Sequence, residues 1–504
     1  MQADRGRARG GPRRRSVLIA GAAALAPAAC APTMGHRATG SGDGGGDGAG
    51  GQRHTTGVTT VLPAGTSASA LRAASRAFFA SSPVVVLAGD EASHPAAARV
   101  AAHLGVPVLL PDAHLLAELG RLGVNEIVSY AAQPPPGDRR VVPGPAEGTP
   151  RLHADLPAPP PAGRALLLVD PDKPASLLVR ATATAAGAGI VEIRGADPRA
   201  DADAIAALRA APEATVAAVG RTFGSTERFT GRVRTARLAP ELPGGGLLAL
   251  PANHFVAIYG NPLTPSLGLL GEQDAAAAVT RVGDLVAQYA DLLDTPVRPA
   301  FELIATVAAS APGSDGSYST PTDPAVLARW IDVAEGAGVY CLLDLQPGRS
   351  DFLTQARLYA DLLRRPGVGL ALDPEWRLLP GELPLTRIGH VDAAEVNAVA
   401  DWLATLTREN DLPPKMLVLH QFQTQMLRDR DQIDRTHDEL QIVVHVDGSG
   451  GQGAKQSTWR TMRADLPDGF FLGWKNFIDE DAPMLTPAET VAQVTPFPSL
   501  ISYQ

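Results

Sequence analysis

Cysteine is scarce in this chain, whose 504 residues include only Cys30 and Cys341. So few cysteines exclude a disulfide framework. Cys341 lies inside the apolar run 339–345 and is expected to be a small buried hydrophobic residue. Aromatic residues make up 5% of the sequence, and the formal net charge is −9. Because nucleic-acid binding requires a basic surface, and no basic run follows the N-terminal arginines, we expect no nucleic-acid partner.

A long apolar run is missing from the N-terminus as well. Arg13, Arg14 and Arg15 precede a short apolar run, residues 17–29, which ends directly before Cys30. The run is shorter than the roughly 20 residues that a membrane-spanning helix needs. A basic segment, a short apolar segment and small residues before a cut site are typical of a secretory signal peptide. The sequence therefore predicts a signal peptide at residues 1–30.

Two features of this segment resemble known export signals. The paired arginines before Ser16 resemble a twin-arginine signal, and Ala28-Ala29-Cys30 resembles the lipobox of bacterial lipoproteins. The resemblance implies lipid attachment at Cys30, with the lipid as the only contact to the membrane. It also implies a location in the cell envelope, on the outer face of the cytoplasmic membrane, or outside the cell. Residues 31–58 are predicted to be a flexible Gly/Ser-rich linker.

The next part of the chain shows the same α/β pattern twice. Short apolar strand candidates lie at 84–87, 106–110, 126–129, 165–170, 189–193 and 215–220. Helical segments between them predict two small doubly wound α/β units, at 59–150 and 151–242. The turn Gly89-Asp90 and the strand sequence Gly-Val-Pro-Val-Leu-Leu at 105–110 resemble the type 2 cell-wall-binding repeats of Gram-positive surface proteins. The resemblance implies a cell-wall glycan or another polysaccharide as partner.

Strand candidates and helical segments alternate with little interruption over residues 243–504. The strand candidates are 255–259, 301–307, 340–345, 368–373, 416–421, 442–446, 470–475 and 499–503. Eight strand–helix repeats in this length match a closed (β/α)8 barrel, or TIM barrel, which typically has about 250 residues. The predicted fold class is therefore α/β, a C-terminal TIM barrel preceded by two small doubly wound units. An open doubly wound sheet is the alternative for residues 243–504.

Polar side chains gather where these strand candidates end. They are Asn261, Asp344, Gln346, Asp373, Glu375, His420, His445, Asp447, Lys475 and Asn476. TIM barrels carry their active sites at the carboxyl ends of the strands. Buried charges are costly unless they are paired or used in chemistry. The sequence thus predicts a polar and enzymatic barrel mouth.

The sharpest motif in this region is Asp373-Pro374-Glu375. Two carboxylates on one strand face would lie about 6–7 Å apart along the chain, close enough for one to raise the pKa of the other. Glycoside hydrolysis uses such a pair, with one carboxylic acid protonating the leaving oxygen. Asp-x-Glu at the end of a fourth barrel strand resembles family 18 chitinases and family 25 lysozymes. The resemblance implies Glu375 as general acid and Asp373 as its partner. No second glutamate ends a late strand, so Asp344, Asp447 or an acetamido group of the substrate would serve as the second catalytic group.

The remaining polar ends and the aromatic residues beside them are predicted to bind sugar. This substrate-binding set is Tyr259, Asn261, Gln346, Trp376, His420, His445, Trp474, Lys475 and Asn476. No cofactor and no metal are predicted for a glycoside hydrolase of this kind.

Three alternatives to a glycoside hydrolase stay open. A metal-dependent hydrolase would use the ligands His420, His445, Asp447 and Asp373. An aldolase-like enzyme would form a Schiff base at Lys475. The third alternative is a non-catalytic envelope lipoprotein that binds a ligand or serves as a scaffold.

Lipid attachment at Cys30 predicts that Cys30→Ala releases the protein from the membrane, because acyl chains supply the membrane affinity of such anchors. Fractionation of cells that express the wild type or the variant measures the change. Cys341→Ala is the matched control and should stay in the membrane fraction. A Cys30→Ala protein that remains wholly membrane-bound would contradict the lipid anchor.

Overall fold

A computed structural model describes residues 53–133, 137–158, 160–161 and 163–504. The predicted signal peptide, Cys30 and residues 31–52 of the predicted linker lie outside these described residues. All described residues belong to one compact unit. None of the helices in it combines the length and the apolar character that crossing a membrane requires.

The part before the barrel consists of short strands and helices in alternation. Its strands are β1 (Arg53–His54), β2 (Thr59–Leu62), β3 (Phe79–Ser81), β4 (Val84–Leu87), β5 (Val108–Leu109), β6 (Glu126–Ser129), β7 (Arg140–Pro143), β8 (Ala165–Val169), β9 (Ala188–Glu192) and β10 (Thr215–Val219). Its helices are α1 (Ala68–Phe78), α2 (His94–Leu104), α3 (Leu115–Leu122), α4 (Leu177–Ala185), α5 (Ala202–Ala210) and α6 (Thr226–Leu238).

Eight of these strands form two four-stranded parallel sheets, in the orders β5-β4-β6-β7 and β2-β10-β8-β9, and β1 pairs with β3 in antiparallel fashion. β2 precedes every strand of the first sheet in the chain, yet it pairs with β10 in the second sheet. One hydrophobic cluster contains side chains of both sheets, among them Val86 and Leu167. The two sheets therefore share a core, and their division into two separate units stays a prediction.

The C-terminal part carries the barrel. Its strands are β11 (His254–Gly260), β12 (Val297–Ala308), β13 (Ser319–Pro321), β14 (Tyr340–Leu345), β15 (Val368–Leu372), β16 (Val391–Asp392), β17 (Lys415–His420), β18 (Leu427–Arg428), β19 (Leu440–Val446), β20 (Phe471–Asn476) and β21 (Leu500–Tyr503). Its helices are α7 (Ala275–Ala290), α8 (Pro324–Gly336), α9 (Phe352–Leu358), α10 (Ala360–Leu363), α11 (Ala393–Glu409), α12 (Gln452–Arg463) and α13 (Pro487–Gln493).

Eight of these strands close into a parallel barrel. Their order is β11-β21-β20-β19-β17-β15-β14-β12, and β11 also pairs with β12. β13 extends the sheet by antiparallel pairing with the end of β12. The predicted TIM-like barrel is thus confirmed, and the alternative of an open sheet is wrong.

Apolar side chains fill the amino end of the barrel interior and the layer between strands and helices. The interior cluster includes Phe255, Tyr340, Leu342 and Met416. Cys341, which points to the outer layer because side chains alternate along β14, is fully buried there as predicted. The inward polar residues of the predicted site lie toward the carboxyl ends of the strands, whereas Gln441, at the start of β19, accepts hydrogen bonds from the backbone N–H groups of Ala249 and Leu250 at the amino end.

Helix starts in the barrel follow local sequence signals in most cases. Thr486 and Glu489 form a capping box at the start of α13, as Thr-x-x-Glu predicts. Asp392 and Glu395 have suitable spacing before α11, but Asp392 makes no capping hydrogen bond. The Glu395 carboxylate, which would complete a capping box, binds Arg377 at 3.0 Å instead. A tertiary ion pair therefore overrides the local signal at this helix.

The N-terminal part is joined to the barrel by ion pairs at Asp438, which precedes β19. Arg228 and Arg232 of α6 each donate to this carboxylate at 2.8 Å, and Arg199 donates to its backbone oxygen at 2.6 Å. Burial opposes ionisation of Asp438, but these arginines lower its pKa to about 2. The carboxylate is therefore ionised at neutral pH and holds the two parts together.

A buried lysine lies at the opposite end of the barrel from the mouth. Lys415 begins β17, is completely buried, and donates from Nζ to the backbone oxygens of Arg365 and Val368 at 2.9 and 2.8 Å. Burial lowers the pKa of this amine to about 7, whereas an exposed lysine has a pKa of about 10.4. At pH values between these two pKa values, the folded protein therefore binds fewer protons than the unfolded chain.

Stability should rise with pH across this window, since the unfolded state holds the additional proton. Replacing Lys415 with Met removes this titration. The free energy of unfolding of the wild type, relative to Lys415→Met, should increase by about 1 kcal/mol per pH unit between about pH 7.5 and 9.5. Denaturant titrations at several pH values measure it, and parallel pH profiles of the two proteins would refute the assignment.

Candidate active site

A cavity of about 340 Å³ opens at the carboxyl ends of the barrel strands. Its lining includes Tyr259, Gln346, Asp373, Glu375, Trp376, Phe422, Asp447, Lys475 and Phe477. Seven of these residues belong to the site predicted from the sequence, and they come from different strands and loops. The barrel therefore brings together residues that lie far apart in the chain.

Asp373 and Glu375 both line this cavity, although not in the predicted strand geometry. β15 ends at Leu372, and residues 374–376 form a short 3-10 turn. The Asp373 carboxylate accepts a hydrogen bond from the backbone N–H of Glu375 at 3.2 Å. Pro374 has no N–H to continue the strand pairing, so the chain turns there and still leaves both carboxylates at the mouth.

Both carboxyl groups favour the protonated form more than an exposed acid does. Burial raises the pKa of Glu375 to about 7, and the negative charge of Asp447 acts in the same direction. Burial also raises the pKa of Asp373 well above its ordinary value, together with the charges of Asp344 and Glu375. An acid that is partly protonated near neutral pH is suited to proton transfer.

The nearby arginines do not neutralise these two acids. Arg377 pairs with Glu395, and Arg349 lies over the ring of Tyr318, 4.4 Å from its centroid. Within the described part of the chain, neither Asp373 nor Glu375 forms a salt bridge. Their carboxyl groups are consequently available to a ligand in the cavity.

A second group of polar residues, Tyr259, Asp344, Gln346 and Lys475, lies beside these two acids and forms the floor of the mouth. The Tyr259 hydroxyl donates to Asp344 Oδ2 at 2.9 Å and accepts from the Gln346 amide at 3.1 Å. Lys475 Nζ lies 3.6 Å from the centroid of the Tyr259 ring, a cation–π contact. Burial raises the pKa of Asp344 to about 6, and the charge of Glu302 adds to the increase.

Below the floor, His420 connects two carboxylates. Its Nε2 lies 2.8 Å from Glu302 Oε1, and its Nδ1 lies 2.9 Å from Asp447 Oδ2. Burial disfavours the imidazolium, but these two carboxylates raise the pKa of His420 well above its ordinary value. In return, and against the effect of burial, His420 lowers the pKa of Glu302 to about 2 and also lowers that of Asp447. The three groups therefore form a charged chain, anion–cation–anion.

His445 lies next to this chain but belongs to a different hydrogen bond. Its Nε2 is 3.0 Å from the Ser502 hydroxyl, and its Nδ1 is 4.0 Å from Glu302 Oε2. Burial lowers the pKa of His445 to about 4, so this imidazole is neutral. Gly473 leaves room for the ring, because a Cβ at that position would lie 2.9 Å from His445 Cδ2.

Two groups of side chains in the described residues could hold a metal ion. Glu302, His420 and His445 place one donor atom each within 4.8 Å of one another, and all three are buried. The second group lies at the surface and consists of Asp401, Asp434 and His437. The ligand set predicted for a metal-dependent hydrolase is not the one that converges, since Asp447 contacts the opposite nitrogen of His420.

Three predicted substrate-binding residues lie away from the mouth, besides His420 and His445, which are buried below the cavity and do not line it. Trp474 and Asn476 point to the helix layer, because Gly473 and Lys475 occupy the inward positions of β20. Trp474 packs edge-on against a tryptophan of α12 at 5.6 Å and donates to Asn476 at 2.8 Å. Asn261 shapes its own loop, donating to the Ile304 backbone at 3.1 Å and accepting from Leu263. Their prediction rested on nearness to a strand end, which does not specify the face.

Sequence reasoning also left out residues that the structure brings to the site. Glu302 and Ser502 are fully buried members of the layer below the floor, and Phe422 and Phe477 line the cavity. Alternation could have indicated Glu302, which is a lone acid at an inward position of an otherwise apolar strand. The two phenylalanines follow strand ends, where no local signal distinguishes them from core residues.

The hydroxyl of Tyr259 should matter for stability because it supplies a hydrogen bond to the buried Asp344. Tyr259→Phe keeps the ring that Lys475 contacts but leaves the carboxylate without this donor, at an expected cost of about 1–3 kcal/mol. Tyr318→Phe is the control, with an expected change within about 0.5 kcal/mol. Denaturant unfolding compares the two variants, and equal stability would contradict the role assigned to the Tyr259 hydroxyl.

The arrangement combines acids of raised and lowered pKa at one barrel mouth, which is the pattern expected of an acid–base catalytic site. In comparisons with known proteins, no family model matches the chain and no curated protein gives a significant match.

Proposed function

We propose that this chain is an exported, lipid-anchored glycoside hydrolase that cleaves a polysaccharide of the cell envelope or the surroundings. The observation that carries the proposal is the position of Glu375. It lines the cavity at the carboxyl ends of the strands and also a second cavity of about 240 Å³, and it forms no salt bridge with any described residue. A glycosidic oxygen beside Glu375 would have space for sugar on both sides.

Glu375 is the proposed general acid. With a pKa of about 7, a substantial fraction carries a proton at neutral pH, and that proton can pass to the leaving oxygen. Asp373 is its proposed partner, since the two carboxyl groups line the same cavity and the charge of Glu375 disfavours ionisation of Asp373. The raised pKa values of Asp373 and Glu375 are thus suited to the role of a general acid and its partner.

An ionised carboxylate must stabilise the cationic sugar that forms when the bond breaks. Asp447 is suited to this task because it lines the cavity and its hydrogen bond to His420 keeps it anionic. Asp344, held by Tyr259, is the second candidate. The site therefore holds a proton donor and an anion at the same time, as two carboxylates in different environments do in glycosidases.

The lining of the cavity fits a carbohydrate. Trp376, Phe422 and Phe477 offer apolar surfaces on which sugar rings can stack, while Gln346 and Lys475 offer donors for hydroxyl groups. Trp376 also lines the second cavity, so one indole could contact sugars on both sides of the cleaved bond. A polymer, rather than a single sugar, uses both cavities.

The proposed location follows from the sequence signals. Export by the twin-arginine route and lipid attachment at Cys30 would place the barrel outside the cytoplasmic membrane. Of the two proposed α/β units, 59–150 and 151–242, the first resembles cell-wall-binding repeats and would then hold the enzyme near its polymer.

The proposal predicts that Glu375→Gln loses most of its activity on cell-wall glycan and on chitin-like oligomers. The amide cannot donate the catalytic proton, and loss of a general acid typically lowers the rate about 10²–10⁴-fold. Wild-type activity should fall as the pH rises through about 7, because the required form of Glu375 is the protonated one. Release of reducing ends at a series of pH values measures both effects.

Glu480→Gln provides the matched control, because Glu480 is an exposed glutamate in the loop that follows β20. It should keep wild-type activity and the wild-type pH profile. Full activity in Glu375→Gln would refute the assignment of the acid. If neither polymer is cleaved but one is bound, the non-catalytic lipoprotein takes the place of the enzyme.

A further inference from the structure

Several buried polar atoms in and below the floor of the mouth have no hydrogen-bond partner among the residues that the structure describes. They are Glu302 Oε2, Asp344 Oδ1, His445 Nδ1 and Asp447 Oδ1. Buried polar groups are otherwise nearly always paired, and an unpaired one costs free energy comparable to a lost hydrogen bond. Two of these atoms, Glu302 Oε2 and His445 Nδ1, lie only 4.0 Å apart.

No arrangement of protons on His445 satisfies this pair. If Nε2 carries the proton and donates to Ser502, then Nδ1 presents a lone pair toward a carboxylate oxygen. If Nδ1 carries the proton instead, 4.0 Å is too long for a hydrogen bond to Glu302. An electron-pair acceptor between the two atoms would satisfy both of them.

In both histidines, the ring nitrogen that faces away from Glu302 has a polar partner that fixes the orientation of the ring, as in metal sites. His420 Nδ1 contacts the Asp447 carboxylate, and His445 Nε2 contacts the Ser502 hydroxyl. In each ring the other nitrogen is the one directed at Glu302. Metal-binding histidines almost always use their second nitrogen in this way, which fixes the orientation of the ring.

We propose that Glu302, His420 and His445 bind a divalent transition-metal ion, with Zn²⁺ as the ion that suits them best. Two imidazoles and one carboxylate are an established three-residue ligand set for zinc. Bonds of about 2.0–2.2 Å in tetrahedral geometry separate ligand atoms by about 3.3–3.6 Å. The distance from Glu302 Oε1 to His420 Nε2 is 2.8 Å, slightly shorter than that separation. The distance from Glu302 Oε2 to His445 Nδ1 is 4.0 Å, slightly longer. Asp344 Oδ1, 3.9 Å from His420 Nε2, is near enough to be a fourth ligand.

The ion would replace the proton that His420 and Glu302 share in the metal-free chain. It would lie beneath the cavity rather than in it, since none of the three ligands is among the cavity-lining residues and all three are fully buried. The positive charge of the ion would offset the negative charges of the Glu302 and Asp344 carboxylates next to it. The inference does not depend on the proposed glycoside hydrolase, because no step of sugar cleavage is assigned to the ion.

The test is metal analysis of the full chain after incubation with excess Zn²⁺ and removal of unbound metal. The wild type should retain about one zinc per chain in the buried site. Glu302→Gln and His445→Gln should lose it, whereas His437→Gln, which disrupts the surface group with Asp401 and Asp434, should keep it. Co²⁺ in place of Zn²⁺ gives an absorption spectrum that reports nitrogen and oxygen ligands.

Buried substitutions can disturb folding, so Ser502→Ala supplies a milder variant. It removes only the hydroxyl behind His445 and should weaken zinc binding about 10–100-fold, as measured by competition with a chromophoric chelator. Circular dichroism checks that the fold is kept. A wild type that retains no zinc, a His445→Gln variant that retains as much as the wild type, or an unchanged affinity in Ser502→Ala would each overturn the proposal.

Discussion

β11 pairs with β21 on one side and with β12 on the other, which closes the sheet into a barrel of eight strands. Closure leaves an interior just wide enough for side chains, and alternation along each strand decides which of them enter it. Apolar residues fill the amino end, so the inward polar residues meet in one layer near the carboxyl ends. In that layer Glu302, His420, His445 and Ser502 contact one another, and His420 also contacts Asp447.

His420 divides the acids of the mouth into two classes. The two carboxylates that contact its ring, Glu302 and Asp447, are kept ionised by the imidazolium. Glu375 and Asp373 lie further out without a cation bound to them, and burial favours their protonated forms. One buried imidazole thus places an anion and a proton donor in the same site, and environments that separate two pKa values in this way assign the acid and base roles.

The success of the sequence prediction at the site depended on knowing the face of each strand. Alternation indicates inward positions for Asp344 and Lys475, since each is an even number of residues from an inward apolar residue, Leu342 or Phe471. It fails for Glu375, because Pro374 ends the strand and a turn replaces the expected pleat. Trp474 and Asn476 were assigned by nearness to a strand end, although alternation along β20 directs them to the helices.

The sequence by itself determined the eight barrel strands and the position of the acid pair, because both depend on short-range patterns of apolar and polar residues. It also determined most helix starts, since capping depends on residues within one turn. Only the tertiary structure decided that β2 joins the second sheet, that Arg377 binds Glu395, and that His420 connects Glu302 with Asp447. These contacts join residues far apart in the chain, and which partner each finds depends on barrel closure and sheet order, which no local pattern encodes.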